Sequence, residues 1–467
     1  MPMPESTAPE DVISWPEAVG YSSGLAAVNC SSAAIGVLIN PIFNITLGLS
    51  PAVIGVCLFV QRLWNVTVDP FAGYVSDNLK SAGGRRRPLI LATAAPLALS
   101  FAAIWLFPRG AGPAALLGYL VGTSLLFYSV LAFYSVPLLA LGMEASRDYH
   151  ERTRLNVFAR VVSFVFLIGI QWAFPFIQWR VFPDRIAGVR CFAAVSGLIL
   201  AALASMPLWL NREARSEPAG RPREPFLDHL RSALRNPPFI RVVAARTVYA
   251  FSYNLVGVLG LYLNYYYVFH GDIRRAAIMQ GWNGTIFQVA GIGSLFLIRR
   301  LAIRRGKREA VLVTAGVFAT GCLAKLFVYS PAMPWLQVVV YVTNGISAAG
   351  MTVPTDAMLP DIVDQDERVS GARREGMYAS VLLWFDRVGY SVGTLFSGFL
   401  LGWIGFDVKL GGAQPERAMD LMRYAYCAIP LAGACAIFWV MARYPLTAKR
   451  CYATRAELDL RRLAPAG

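Results

Sequence analysis

The chain has 467 residues, of which 56% are hydrophobic and 15% charged, and its formal net charge is +15. Soluble domains carry about 25% charged residues, so an ordinary soluble protein is excluded and a polytopic membrane protein is indicated. The positive balance does not mark a nucleic-acid binder, because the Lys and Arg clusters fall between long apolar segments, where cytoplasmic membrane loops gather them.

The N-terminal stretch MPMPESTAPEDVISWPE is acidic and Pro-rich, without the basic region and small-residue cleavage site of a signal peptide. Insertion is therefore expected from the first transmembrane helix. A span needs roughly 20 apolar residues. Twelve segments qualify, at 19–43, 50–77, 88–107, 113–143, 155–178, 188–210, 239–268, 274–300, 309–329, 334–358, 375–402 and 420–444. The expected fold class is an all-α polytopic membrane protein of twelve transmembrane helices. The polar, Arg-, Glu- and Pro-rich connection 211–238 cannot span. It divides the chain into an N-terminal tail (1–18), a six-helix bundle (19–210), this linker, a second six-helix bundle (239–444) and a basic tail (445–467). The seven cysteines are scattered without metal-ligand spacing and read as packing residues.

The second segment and its exit, QRLWNVTVDPFAGYVSDNLKSAGGRRRP, carry the densest chemistry. Arg62, Asn65 and Asp69 are spaced i, i+3, i+7, on one helix face. A carboxylate in a span costs at least ~2.5 kcal/mol on insertion scales, which makes Asp69 a functional candidate. Pro70 leaves the Val66 carbonyl without its helical donor, so Asp69 and that carbonyl make an oxygen-rich spot. If Asp69 is desolvated it can carry a proton; if an arginine pairs with it, it is structural.

Loop charge sets the expected orientation. Basic clusters follow the second, fourth, sixth, eighth and tenth segments, which places those loops and both termini in the cytoplasm. The exits of the fourth and tenth segments resemble each other. VPLLALGMEASRDYHER and VPTDAMLPDIVDQDER both begin Val-Pro and end Asp-x-x-Glu-Arg, and the basic turn GGRRRP is echoed by RRGKRE. Charged latches are expected at these corners. The candidates are Asp77 with Arg85, Arg86 and Arg87; Glu144, Asp148 and Arg152; and Asp364, Glu367 and Arg374. The bland alternative is chance similarity between charged loops.

The stretches RLWNVTVDPFAGYVSD…GRRRPLIL, VPLLALGMEASRDYHERTRL and DIVDQDERVSGARREGMYASVLLWFDRVGYSVG resemble the glycoside–pentoside–hexuronide:cation symporters of the major facilitator superfamily. NPPFIRVVAARTVYAFSYNL is a weaker match. The resemblance implies two pseudo-symmetric six-helix bundles, alternating access and secondary transport of a small polar solute. It also implies a cytoplasmic-membrane location, a monomer and no cofactor beyond a coupling ion. Family cation ligands are carboxylates on helices 1, 2 and 4; here those positions are Asn29, Asn65, Asp69 and Ser135. Only Asp69 keeps its acid, which favours H⁺ over Na⁺, with Thr67 a further neutral ligand. Arg387 falls where the melibiose permease of this family has a lysine, and the permease's sugar-stacking aromatic falls on Leu139.

Arg160, Asp386 and Arg387 lie within spans, and a guanidinium suits bidentate contact with a carboxylate, sulfate or phosphate. They are expected at the substrate together with Trp384, Tyr128 and Asn254. For each aromatic, packing is the competing explanation, and for Arg160 it is snorkelling. Adjacent helical residues point about 100° apart, so Asp386 is expected to pair with another helix while Arg387 faces the solute. Lys325 and Arg246 read as interfacial snorkellers.

An enzyme is disfavoured. The three histidines, His150, His229 and His270, lie in or beside loops, and HExxH, GxxxxGK[ST] and a usable GxSxG are absent. The competing functions of the same fold are a lysolipid or amphiphile carrier and a non-transporting sensor.

Overall fold

A computed structural model describes residues 12–79, 86–146, 149–211, 231, 233–370, 374–407, 410–446, 450–451, 453–455 and 457–458. Among them are twelve long helices and no strand. We number them α1 (Trp15–Ile39), α2 (Pro51–Asn78), α3 (Arg87–Trp105), α4 (Pro113–Glu144), α5 (Tyr149–Gln171) and α6 (Arg185–Leu210). The second half holds α7 (Pro237–Tyr262), α8 (Ile273–Arg305), α9 (Lys307–Val328), α10 (Val338–Ser370), α11 (Glu375–Ile404) and α12 (Glu416–Ala442). Eleven are long and apolar enough to cross a membrane. The remaining one, α11, has the length but is interrupted by Asp386 and Arg387.

Local chemistry explains the ends. Ser14 and Glu17 form a reciprocal capping box before α1. Asp184 caps α6, Asn236 caps α7 and Asp272 caps α8, each accepting an otherwise orphaned N–H. α8 and α9 meet at the single residue Gly306, whose φ of 101° a side chain would strain. α10 overruns its expected end at 358 and continues to Ser370. Its polar DQDER turn is helical although not apolar, so hydropathy alone truncates it. α1 and α7 both pass into a π-helical turn, Asn40–Thr46 and Leu263–Val268. A fully buried asparagine ties each turn to a later segment of the chain: Asn44 donates to the Leu49 carbonyl (2.6 Å) and Asn264 to that of Ala276 (2.9 Å).

The chain forms two compact units, Met1–Ala219 and Gly220–Gly467. In the first, the principal pairings are α1 with α5, α2 with α4, α3 with α4, α3 with α6, and α1 with α6. In the second they are α7 with α11, α8 with α10, α9 with α10, α9 with α12, and α7 with α12. Adding six to each label converts one set into the other, so the halves repeat in three dimensions as well as in loop sequence.

The first unit is cored by the aromatic cluster Phe43, Phe101, Trp105, Phe127 and Phe192. The second is cored by Phe239, Val242, Met351, Tyr378 and Met441, with the Phe239 and Tyr378 rings 4.8 Å apart. Large apolar side chains such as Trp209, Phe327 and Trp403 stay outside the cores. In water they would be a liability; in a bilayer they meet lipid.

Candidate functional site

In the first unit the polar positions fall on α1, α2, α4 and α5. Asn29 of α1 is exposed and donates through Nδ2 to Oγ of the buried Ser163 on α5 (3.2 Å). Asn65 and Asp69 lie one turn apart on α2, both half-buried. Thr67 is two residues from each and turned to the other side; its hydroxyl is exposed and donates to the Leu63 carbonyl (2.9 Å). Trp64 crosses from α2 to α4, donating from Nε1 to Ser129 Oγ (2.8 Å). Ser135 is half-buried on α4, just before Pro137. Tyr128 is 2% exposed and packs against Phe127. Arg160 is exposed on α5.

A cavity of about 340 Å³ also lies in this unit, lined by residues including Cys30, Phe101, Phe166, Trp172 and Phe192. No charged residue lines it, and none of the candidate cation or substrate residues is among its lining.

The latch candidates divide. Asp148 and Arg85, and the side chains of Asp77, Glu144 and Arg152, fall outside the described residues. Arg86 is buried and donates to Ser76 Oγ (2.9 Å). Arg87 donates to the carbonyl of Leu208, in the last turn of α6 (2.5 Å). In the second unit Arg308 does the same to the carbonyl of Ala442, which ends α12 (2.6 Å). Lys307 Nζ meets Asp361 (2.6 Å) and the Ala357 carbonyl (2.7 Å). These basic corners thus hold helix ends within their own unit. Asp364, Glu367 and Arg374 are half-buried around the α10–α11 corner.

The second unit corrects two expectations. Arg246 is not an interfacial snorkeller: its side chain is 10% exposed and lies between two carboxylates. Nε reaches Asp386 Oδ1 (3.1 Å) and Nη2 reaches Asp386 Oδ2, while Nη1 bonds Asp356 Oδ1 and lies 3.4 Å from Thr355 Oγ1. Asp386 therefore pairs across helices, with α7. Lys325 is not a snorkeller either. It is 3% exposed, donates to the Tyr426 carbonyl (3.2 Å), and holds its ammonium 4.1 Å from the Tyr426 ring centroid. The cause is Pro430: lacking an N–H, it leaves the carbonyl four residues back without a donor, and Lys325 supplies one.

Arg387 is exposed on α11, and Trp384 packs edge-on against Phe385 (4.9 Å). Asn254 turns its amide back to the Ala250 carbonyl (2.7 Å). The Arg246–Asp356–Asp386 arrangement is not evident from the sequence pattern alone. A signal for it exists all the same: Arg246 and Asp356, like Asp386, are charges inside spans, and such charges seek each other.

The pattern of the MFS/sugar transport protein family matches residues 20–448. The glucuronide carrier protein homolog of Escherichia coli is 26% identical over 96% of this chain and 96% of its own. A putative glycoside/cation symporter of the same organism is 23% identical over 96% and 95%. Among solved structures, a D-xylose–proton symporter superposes with a TM-score of 0.64 at 14% identity, covering 93% of this chain and 99% of that one. With the repeated six-helix units and charges set inside the spans, these matches identify the chain as an integral membrane transporter of the MFS/sugar transport protein family.

Proposed function

We propose that this transporter moves a glycoside or sugar acid across the cytoplasmic membrane by alternating access, with a proton as the coupling ion. The observation that carries the reading is the Asn65–Asp69 face of α2, half-buried in a spanning helix and followed by Pro70. One carboxylate suffices for one proton, whereas a desolvated sodium ion calls for several oxygens. At the remaining positions of the resemblance, Asn29, Asn65 and Ser135 offer neutral oxygens. The relatives named for a glucuronide and for glycosides support the substrate class. Arg387 and Arg160, each exposed in its own unit and permanently charged, are guanidiniums of the kind that pairs with a sugar carboxylate. Clustering of Lys and Arg in the even-numbered connections supports cytoplasmic termini.

The test uses proteoliposomes and radiolabelled methyl β-D-glucuronide. Asp69→Asn mimics the protonated carboxyl; it is expected to abolish gradient-driven accumulation and to leave counterflow intact. Arg387→Ala is expected to lose binding, more for the glucuronide than for the neutral glucoside. Normal accumulation by Asp69→Asn overturns the coupling residue, and a strict sodium requirement overturns the ion. Transport of short-chain lysolipid with no uptake of either sugar overturns the substrate class.

A further inference from the structure

Resting on the reading of the chain as a proton-coupled transporter, we propose a second proton site, in the C-terminal unit, formed by Arg246, Asp356 and Asp386. Two carboxylates share one guanidinium there. Neither acid has another cation bonded to it among the described residues, so with both acids ionised the group carries one negative charge in excess. An uncompensated charge inside a span is costly, and a proton removes it.

The two carboxylates are held unequally. Asp386 is 21% exposed and bonds Nε and Nη2 as a fork. Asp356 is 58% exposed and bonds Nη1 through one oxygen. The exposed oxygen has access to a proton, and the fork keeps Arg246 in place when the single bond weakens. Pro360 adds to the local negative potential, because it leaves the main-chain carbonyl of Asp356 without its helical donor.

Among the described residues of this unit, no second cation is bonded to the spare acid. On α7 the neighbours along the chain are Thr247 and, one turn on, Ala250. On α10, Thr355 Oγ1 faces Arg246, and Asp361 is occupied by Lys307. On α11, Arg387 follows Asp386 but points about 100° away, and Tyr390 lies one turn further. α12, also packed on α7, has its charged residues Glu416, Arg417, Asp420 and Arg423 in its first turns.

A proton is favoured over a metal cation by the guanidinium at the centre, which repels any ion placed between the acids. The step is simple. Hydronium gives its proton to a carboxylate oxygen and leaves as water; within the triad only the ionic contact to Nη1 is lost, and the triad goes from net negative to neutral. Because Asp356 ties α10 to α7 and Asp386 ties α11 to α7, uptake loosens α10 while α11 stays clamped. Protonation is thereby converted into freedom of one helix relative to its neighbours in the same unit.

The decisive measurement needs no substrate: infrared difference spectra of the purified full-length protein in detergent, taken between mildly alkaline and mildly acidic buffer. The protonated-carboxyl absorption that grows in the wild type is expected to lose a component in Asp356→Asn and to keep it in Asp69→Asn. Asp356→Glu, which preserves the charge, is expected to shift that component without removing it, and it serves if Asp356→Asn does not fold. In proteoliposomes, Asp356→Asn is expected to retain counterflow of methyl β-D-glucuronide while accumulation falls to the equilibrium level. Spectra of Asp356→Asn or Asp356→Glu that superpose on the wild type overturn the proposal. If the wild type transports no glycoside or sugar acid, the substrate reading fails and the infrared comparison still decides the triad.

Discussion

At the scale of single residues, charges inside spans are settled by partners that lie far away in sequence. From sequence, Lys325 and Arg246 read as snorkellers because a lone basic residue near the end of an apolar segment has an interface within reach. The structure turns both inward. For Lys325 the reason is legible only once α9 and α12 are known to be neighbours, since the carbonyl it satisfies is freed by Pro430, more than a hundred positions along. This pairing makes a testable claim. Lys325→Met leaves the Tyr426 carbonyl buried and unpaired, at a cost of about 1–3 kcal/mol. Pro430→Ala restores an N–H to that carbonyl. The loss from Lys325→Met is therefore expected to be smaller in the Pro430→Ala background than in the wild type. Thermal unfolding of the four proteins in one detergent measures the difference, and equal losses in both backgrounds would show that Lys325 acts otherwise. Asp69 is the opposite case: its acidity, its span and the adjoining proline sit within one stretch of chain, so it stands out without a fold.

Elements show why hydropathy locates helices well and ends them less well. All twelve segments are helices, because twenty apolar residues in a bilayer leave the backbone few other ways to satisfy its N–H and C=O groups. What extends beyond the apolar part is set by caps and polar turns, as in α10. The ends are also braced by side chains that the sequence pattern assigns to another task. Arg87 and Arg308 each donate to a carbonyl at the end of the sixth helix of their own half. Those carbonyls lack intrahelical donors and carry the negative end of the helix dipole. Arg87→Ala and Arg308→Ala are each expected to cost roughly 1 kcal/mol, with Arg→Lys recovering part of it. Because the two arginines do the same work in separate units, the double variant is expected to show additive losses. Unfolding monitored by tryptophan fluorescence measures this. A single variant without effect would mean that the arginine serves the cytoplasmic latch and not the helix end.

For the whole molecule, the strongest message of the sequence is duplication. The repeated Val-Pro…Asp-x-x-Glu-Arg exits and the basic turns point to two halves, and the five matched helix pairings are the three-dimensional form of that repeat. What duplication cannot supply is the difference between the halves. The second unit holds the Arg246 triad and the buried lysine, which arise from contacts between helices and from no local pattern, while the first keeps Asp69, which its own stretch of chain marks out. Orientation is a property of the whole chain and comes from charge. Lys and Arg resist crossing to the outer side during insertion, so the connections after α2, α4, α6, α8 and α10 are expected in the cytoplasm. The connection 212–230, the longest of the set and with four arginines, is the best place to test this. In a variant with the native cysteines replaced, one cysteine introduced at Arg221 is expected to resist a membrane-impermeant maleimide in intact cells and to react after permeabilisation. A second cysteine, in the short connection between α3 and α4 at Gly110, is expected to react from outside without permeabilisation. The two sites must give opposite results, because an odd number of spans separates them. Labelling of Arg221→Cys from outside, with Gly110→Cys protected, would invert the topology.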